Sequence, residues 1–508
     1  MIRMTMVLAA VAALLATGAE GQPAPEVLGP VNAKIDTGPI VGVMHPNANV
    51  FRNIPFAAPP VGDLRWAPPQ PVKPWTAPRE AALPGVSCPQ RMNANGAPNG
   101  GGANGPQSED CLQLNVFAPK AAKRAPVMVW IHGGGHREGA AWIYDGQNFA
   151  RDGIVVVTLN YRLGALGYFA HPALTKAAKP GEPVGNYGLM DQIAALKWVQ
   201  RNIAAFGGDP KNVTVFGESA GGMSTLSLLA TPAANGLYQK AIVESGVGWF
   251  TPVPLAKKEA EGVAMLEKAG LGEAKTAAEL RAIPVEKLTA IDADYQPFTD
   301  GRLMTETASQ ALARGKFPDV PLIIGSNSGE DSLMGPRPAG PEAAARVTPA
   351  QRAAYKTEEA ADVDTLVRAA FTDRFMGGPA RWVAAKTSTG KPSWLYHFSY
   401  VGSRFRPGMT RASHAAEIQY VFEYWGRRTP MSLVSDEDKA MASLMHACWV
   451  AFAKTGAPKC GPDAWPAYTL AKDQLMEFGA SSGVRTHFRK TQLDVQEAEV
   501  LPTLALGK

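Results

Sequence analysis

Residues Phe206–Gly222 read FGGDPKNVTVFGESAGG. Within them Val213–Phe216 (VTVF) is a short β-branched apolar run, and Met223–Ala230 (MSTLSLLA) beyond them suits a helix. Between the two stands Gly217-Glu218-Ser219-Ala220-Gly221, a G-x-S-x-G pattern in a strand–turn–helix setting. A sharp turn there lifts the serine hydroxyl clear of a sheet at a helix N-terminus, and the glycines leave room where a Cβ would meet neighbouring backbone.

Similar runs occur on both sides of this segment. Val127–Ile131 (VMVWI), Ile154–Leu159 (IVVVTL), Ala241–Val243, Leu322–Ile324 and Trp394–Phe398 all read as buried strands. Asp191–Ile203 carries apolar residues at 193, 196 and 199, flanked by Trp198 and Ile203, which suits an amphipathic helix. Strands separated by helices predict an α/β fold, with a mostly parallel central sheet flanked by helices. Asn93–Gln107 and Gly335–Pro341 read as loops. In the first, Gly100, Gly102 and Gly105 satisfy G-x-G-x-x-G, but the strand before and helix after that a dinucleotide site needs are missing.

The chain has 508 residues, 46% hydrophobic and 19% charged, with a formal charge of +5. No Lys/Arg cluster interleaved with aromatics concentrates that charge, so a nucleic-acid partner is not expected. Arg3 followed by the apolar run Val7–Ala16, with Thr17 and Ala19 at a small-residue cut, reads as a secretory signal over residues 1–19. The run is too short to span a bilayer, and no stable membrane anchor is expected. Residues 20–508 are expected to form a single catalytic domain, secreted or periplasmic. Export makes the four cysteines candidates for disulfides. Of the three pairings, Cys88–Cys111 and Cys448–Cys460 join sequence neighbours; the alternative leaves Cys448, inside HACWVAFA, as a buried thiol.

An isolated serine hydroxyl is a poor nucleophile. It needs a base, an acid to orient the base, and donors for the oxyanion of a tetrahedral intermediate. His132-Gly133-Gly134-Gly135 directly follows VMVWI, as an oxyanion loop would. The N–H groups of Gly134, Gly135 and Ala220 are the expected donors.

With these residues the chain resembles the type-B carboxylesterase/lipase family of α/β-hydrolases, which includes bacterial para-nitrobenzyl esterases and cholinesterases. Ile54–Pro69, Glu109–Pro119, Asn160–Gly167, Gly185–Gln192, Phe206–Gly222 and Ala241–Gly246 all carry the resemblance, which covers nearly the whole mature chain. It implies an α/β-hydrolase fold with large loop and helical insertions around an active-site gorge. It implies Glu330, in IIGSNSGEDS, as the orienting acid, with Asp331 the alternative, and His414, opening HAAEIQYVF, as general base. His397 and His446 read as structural. Glu218, next to the nucleophile, would set a negative charge near the imidazolium that forms during reaction, and Ser245 falls where the resemblance suggests a hydrogen bond to the acid.

The implied activity is hydrolysis of small to medium carboxylic esters through a Ser219 acyl-enzyme. A non-catalytic adhesion or binding protein, or an amide or lactone hydrolase with the same triad, are the alternatives. Residues 89–110 contain no Phe, Tyr or Trp, so the aromatic face that binds choline in cholinesterases is missing. His136 and Arg137 after the glycines, with Arg404, Arg406 and Arg411 before His414, raise the prospect of acidic esters. No metal or organic cofactor is expected, since neither H-E-x-x-H nor paired Cys/His spacing occurs.

Overall fold

Alternate residues of the apolar runs point to opposite faces of one sheet, and both faces are covered. Val127, Val129 and Ile131, Val155 and Val157, Val213 and Val215, Ala241 and Val243, and Leu322 and Ile324 pack in one core. Met128, Trp130, Val156, Phe216, Ile242 and Ile323 pack in a second core on the other face. Burial on both sides explains why these strands read as continuous apolar runs.

The structure, a computed structural model, describes residues 26–426, 429–461 and 464–506; the expected signal segment 1–19 lies outside them. The strands are β1 (Gly29–Ile35), β2 (Gly38–Met44), β3 (Asn49–Pro55), β4 (Arg79–Glu80), β5 (Gln113–Ala118), β6 (Ala125–Ile131), β7 (Val155–Leu159), β8 (Gly208–Glu218), β9 (Lys240–Glu244), β10 (Leu322–Asn327), β11 (Ser393–Phe398), β12 (Gln474–Phe478) and β13 (Gly483–Thr486). They make one 13-stranded sheet ordered β1-β2-β3-β5-β7-β6-β8-β9-β10-β11-β12-β13, with β4 beside β2. From β7 through β12 neighbouring strands are parallel; the flanks are antiparallel except for β4, which pairs β2 in parallel.

Helix α1 (Tyr187–Asn202) begins one turn earlier than its apolar stripe suggests, and α2 (Ala220–Leu229) starts immediately after the serine. Both contribute side chains to the first core, whereas α3 (Asp436–Thr455) covers the second with Met445, Trp449 and Phe452. Of the segments carrying the resemblance, two meet in a buried ion pair. Arg162 donates from Nε and a terminal nitrogen to both oxygens of Asp191 on α1, each at 2.8 Å. Asn93–Gln107 forms turns with no helix behind its glycine pattern.

The carboxyl ends of the parallel strands fall in register. Ile131 of β6 pairs Gly217 of β8, Glu218 pairs Glu244 of β9, and Glu244 pairs Gly325 of β10. The segments leaving these ends carry His132–Gly135, Ser219, Ser245 and Glu330, the edge at which open α/β sheets place ligands.

Candidate active site

Ser219 is forced into its place by its neighbours. Its backbone adopts φ 55° and ψ −121°, a region costly for a residue with a Cβ, and its N–H is tied to Glu244 O at 2.8 Å. The turn can be this tight because a Cβ on Gly221 would collide with the carbonyl of Ile131, the last residue of β6. A Cβ on Gly133 would lie 2.6 Å from Glu218 Oε2 and 3.1 Å from Ser219 Cβ. The glycine loop after β6 is thus pressed directly against the serine turn.

The loop has donors to spare. Among the described residues, neither the Gly134 nor the Gly135 N–H has an intramolecular acceptor. Ala220 is the first residue of α2, so its N–H has no carbonyl one turn back to bond. His132 stacks on Tyr161, whose hydroxyl donates to His132 O at 2.8 Å, and burial lowers the His132 imidazole to about 4. His136 is also core: it contacts Tyr295 O and Ser224 Oγ, and burial takes it down to about 3.

His414 and Glu330 meet across 84 residues. His414 Nδ1 lies 2.5 Å from Glu330 Oε2, and the carboxylate is fully buried. Glu330 Oε1 accepts from Ser245 Oγ at 2.6 Å and from the Asn327 N–H at 2.7 Å. Asp331 points elsewhere, accepting from Arg411 at 2.8 Å and Arg368 at 3.4 Å. Of the two acids left open by the sequence, it is Glu330 that the fold brings to the imidazole.

On its other side His414 Nε2 faces Glu218 Oε1 at 3.1 Å. Burial alone would lower the imidazole; the charges of Glu218 and Glu330 override it and raise it to about 10. Burial pushes the Glu218 carboxyl up to about 8, against the pull of His414. Among the described residues the Ser219 hydroxyl makes no hydrogen bond.

Two contributors were not read from the sequence. Asn327 donates from its amide to Ser413 O at 2.9 Å and to Glu417 Oε2, while its N–H holds Glu330. One buried asparagine thus ties the acid to the segment carrying the base. Glu417, raised by burial to about 7, lies in the same HAAE run as His414. Its position three residues after the histidine was the one available signal. Glu244, beneath the serine turn, accepts from Trp449 Nε1 at 2.8 Å, and burial drives it well above the carboxylate range.

A cavity of about 410 Å³ opens beside His414. Its walls are aromatic and apolar, including Tyr144, Tyr400, Phe405, Phe422, Tyr424 and Trp425, with Arg411 at the edge. The other arginines do not line it: Arg137 pairs with Asp292 at 3.0 Å, Arg406 pairs with Glu437 at 2.7 Å, and Arg404 stacks on Phe405.

His397 and His446, the other histidines after Glu330 in a strand and a helix, serve packing. His397 lies against Phe488, and His446 bonds Val421 O and Asp152. Asp152, Glu423 and His446 converge within 4.8 Å of one another, and Arg151 already bridges the two carboxylates at 2.6 Å each. Bonds join Cys88 to Cys111 and Cys448 to Cys460, with Cα atoms 5.0 and 4.9 Å apart.

Comparison with known proteins agrees with this architecture. The carboxylesterase family model matches residues 30–345 and 339–496. The chain is 36% identical to a fumonisin B1 esterase of Sphingopyxis macrogoltabida over 88% of its length and 86% of the relative's. It is 36% identical to the para-nitrobenzyl esterase of Bacillus subtilis, over 85% and 91%. Among solved structures, a thermophilic para-nitrobenzyl esterase superposes with a TM-score of 0.79 at 31% identity, covering 91% of this chain and 99% of that one. A Geobacillus stearothermophilus carboxylesterase gives 0.77 at 30%, covering 92% and 99%. With an α/β-hydrolase sheet, and a family match and relatives spanning most of its length, this chain belongs to the carboxylesterase family and is a carboxylic ester hydrolase.

Proposed function

We propose that the protein is an exported serine carboxylesterase in which Ser219 is the nucleophile, His414 the general base and acid, and Glu330 the residue that orients it. The observation that carries this reading is the 2.5 Å pairing of Glu330 with His414, whose Nε2 lies 3.1 Å from Glu218, the residue before a serine held at φ 55° against a glycine loop. His414 takes the hydroxyl proton as Ser219 attacks the ester carbonyl, and returns it to the leaving alcohol. The N–H groups of Gly134, Gly135 and Ala220 receive the oxyanion. Water then repeats the sequence on the acyl-enzyme and releases the acid.

The aromatic cavity beside His414 favours esters carrying an aromatic or bulky apolar group. A para-nitrobenzyl group, which one relative's name carries, is of that kind. The arginines give little support to acidic esters, because Arg137, Arg406 and Arg411 each already face a carboxylate. Residues 20–508 would act as one catalytic domain after removal of 1–19. The n-region and apolar run support export, and two disulfides suit an oxidising compartment. No described helix is long and apolar enough to cross a membrane.

The test is burst and steady-state hydrolysis of p-nitrophenyl esters from acetate to octanoate by wild type and Ser219→Ala. The expected result is a stoichiometric burst in wild type and its loss, with turnover, in the variant. Turnover surviving in Ser219→Ala would overturn the nucleophile assignment.

A further inference from the structure

The loop that carries the proposed oxyanion donors is gripped from outside its own strand. Gln90, two residues after Cys88, is 3% exposed, and its side-chain amide is fully engaged. Nε2 donates to Cys88 O at 2.9 Å and to Gly139 O at 2.8 Å. Oε1 accepts from the Gly139 N–H and from Asn99 Nδ2, both at 2.8 Å. Gln90 therefore pairs with both the N–H and the C=O of a single residue, as the backbone of a neighbouring strand would. Because Nε2 faces only acceptors and Oε1 only donors, the amide has one workable orientation.

Gly139 in turn abuts the start of the glycine loop: a Cβ there would stand 2.8 Å from His132 Cε1 and 2.9 Å from Gly133 O. Between these points Gly134 O accepts the N–H groups of Arg137 and Glu138, both at 3.0 Å. The turn from Gly134 to Gly139 is thus closed on itself and fastened at its far end by Gln90. A second fastening lies alongside, where the Gly101 N–H donates to Glu138 Oε2 at 3.1 Å. That approach requires glycine, since a Cβ on Gly101 would sit 2.7 Å from the Glu138 carbonyl carbon. The Asn/Gly-rich stretch between Cys88 and Cys111 is accordingly a buttress, fitted backbone to backbone against the oxyanion loop.

We propose that Gln90 is a positioning residue for the oxyanion hole: by clamping Gly139 it sets where the Gly134 and Gly135 N–H groups point. The proposal rests on the serine-esterase reading above. Replacing Gln90 by Leu leaves the buried N–H and C=O of Gly139 without partners. Replacing it by Glu turns an oxygen toward two carbonyls. Either change lets the loop shift while Ser219, Glu330 and His414 stay in place. Hydrogen-bond donation to an oxyanion matters mainly in the transition state, so kcat should fall with little change in KM.

The experiment measures Gln90→Leu and Gln90→Glu with p-nitrophenyl butyrate, each rate normalised to active sites titrated by a fluorophosphonate. Affinity for a trifluoromethyl ketone, which adds to the serine as a tetrahedral oxyanion, is measured alongside. We expect kcat per site to fall roughly 10–100-fold with KM within about two-fold, and ketone affinity to fall by a matching factor. A merely structural role would lower the titre and leave kcat per site and ketone affinity at wild-type values, which would overturn the clamp. If neither variant folds, Asn99→Ala removes one donor from Gln90 Oε1 and should give about a 2–5-fold loss in both quantities at full titre; no change there would equally overturn it. Absence of Ser219-dependent turnover in wild type would instead remove the reading on which the clamp depends, so the two failures are distinguishable.

Discussion

His414 Nε2 lies 3.1 Å from Oε1 of Glu218, on the face of the imidazole that a serine base must present to its hydroxyl. The histidine is therefore flanked by two carboxylates, Glu330 on Nδ1 and Glu218 on Nε2, and the charged imidazolium is favoured. In the proposed mechanism this stabilises the ion pair formed during acyl transfer, and it also delays release of the free base as pH rises.

The first prediction follows from that balance. Removing a negative charge beside an imidazolium lowers its pKa, so Glu218→Gln should move the acidic limb of kcat/KM to lower pH, by about one unit or more. The plateau should fall on the order of ten-fold, because the imidazolium of the transition state loses a counter-charge. A pH–rate profile with p-nitrophenyl acetate reads both, and an acidic limb that stays in place would show that Glu218 does not bear on the base.

Glu330 and Asp331 should separate cleanly. Glu330→Gln leaves the imidazole without its charged partner and should lower kcat about 10³–10⁴-fold. Asp331→Asn breaks the contacts to Arg411 and Arg368 at a site where Arg411 is partly exposed. It should cost about 1–2 kcal/mol of stability and leave kcat within a few-fold. Equal losses of kcat in the two variants would contradict the pairing.

The second disulfide should bear on stability and not on rate. Cys448 sits in α3 within the second core and its bond closes a loop of separation 12. The double variant Cys448→Ala/Cys460→Ala should lose roughly 3 kcal/mol, seen as a lower thermal midpoint. Its rate per titrated site at 25 °C should match wild type; a fall in that rate would place the bond in the active-site framework.

Substrate size should be read by the cavity beside His414. Val401 lines it, so Val401→Phe should reduce kcat/KM for p-nitrobenzyl esters by roughly ten-fold or more while sparing small methyl esters. Parallel loss on both would mean the added ring disturbs the base segment rather than filling a substrate subsite.

Much of this architecture was legible because its determinants are local. Val127–Ile131, Val155–Leu159 and the serine turn are each specified by a few adjacent residues, since a strand buried on both faces must be apolar throughout. Strands β1–β5 at one flank and the late strands β12 and β13 are not legible in this way. β1 alternates half-buried and exposed positions over most of its length, and β13 is short and only partly buried, so neither makes a continuous run. The helix start at Ala220 was placed three residues late because the serine turn, not hydrophobic periodicity, sets it.

The sequence alone determined the strand–turn–helix around Ser219 and the glycine loop, and through the family resemblance it pointed to His414 among eight histidines. The turn and the loop depend on residues close together in the chain, where spacing translates directly into geometry. Tertiary structure alone decided that Glu330 rather than Asp331 meets the imidazole, that Asn327 ties Glu330 to the segment carrying His414, that Gln90 reaches Gly139, and that Arg137, Arg406 and Arg411 already have carboxylate partners. Those facts join segments tens to hundreds of residues apart, and no local pattern encodes which polar group a buried donor will find. Burial makes the pairing obligatory, because an unmatched polar group in the interior is costly; the fold chooses the partner.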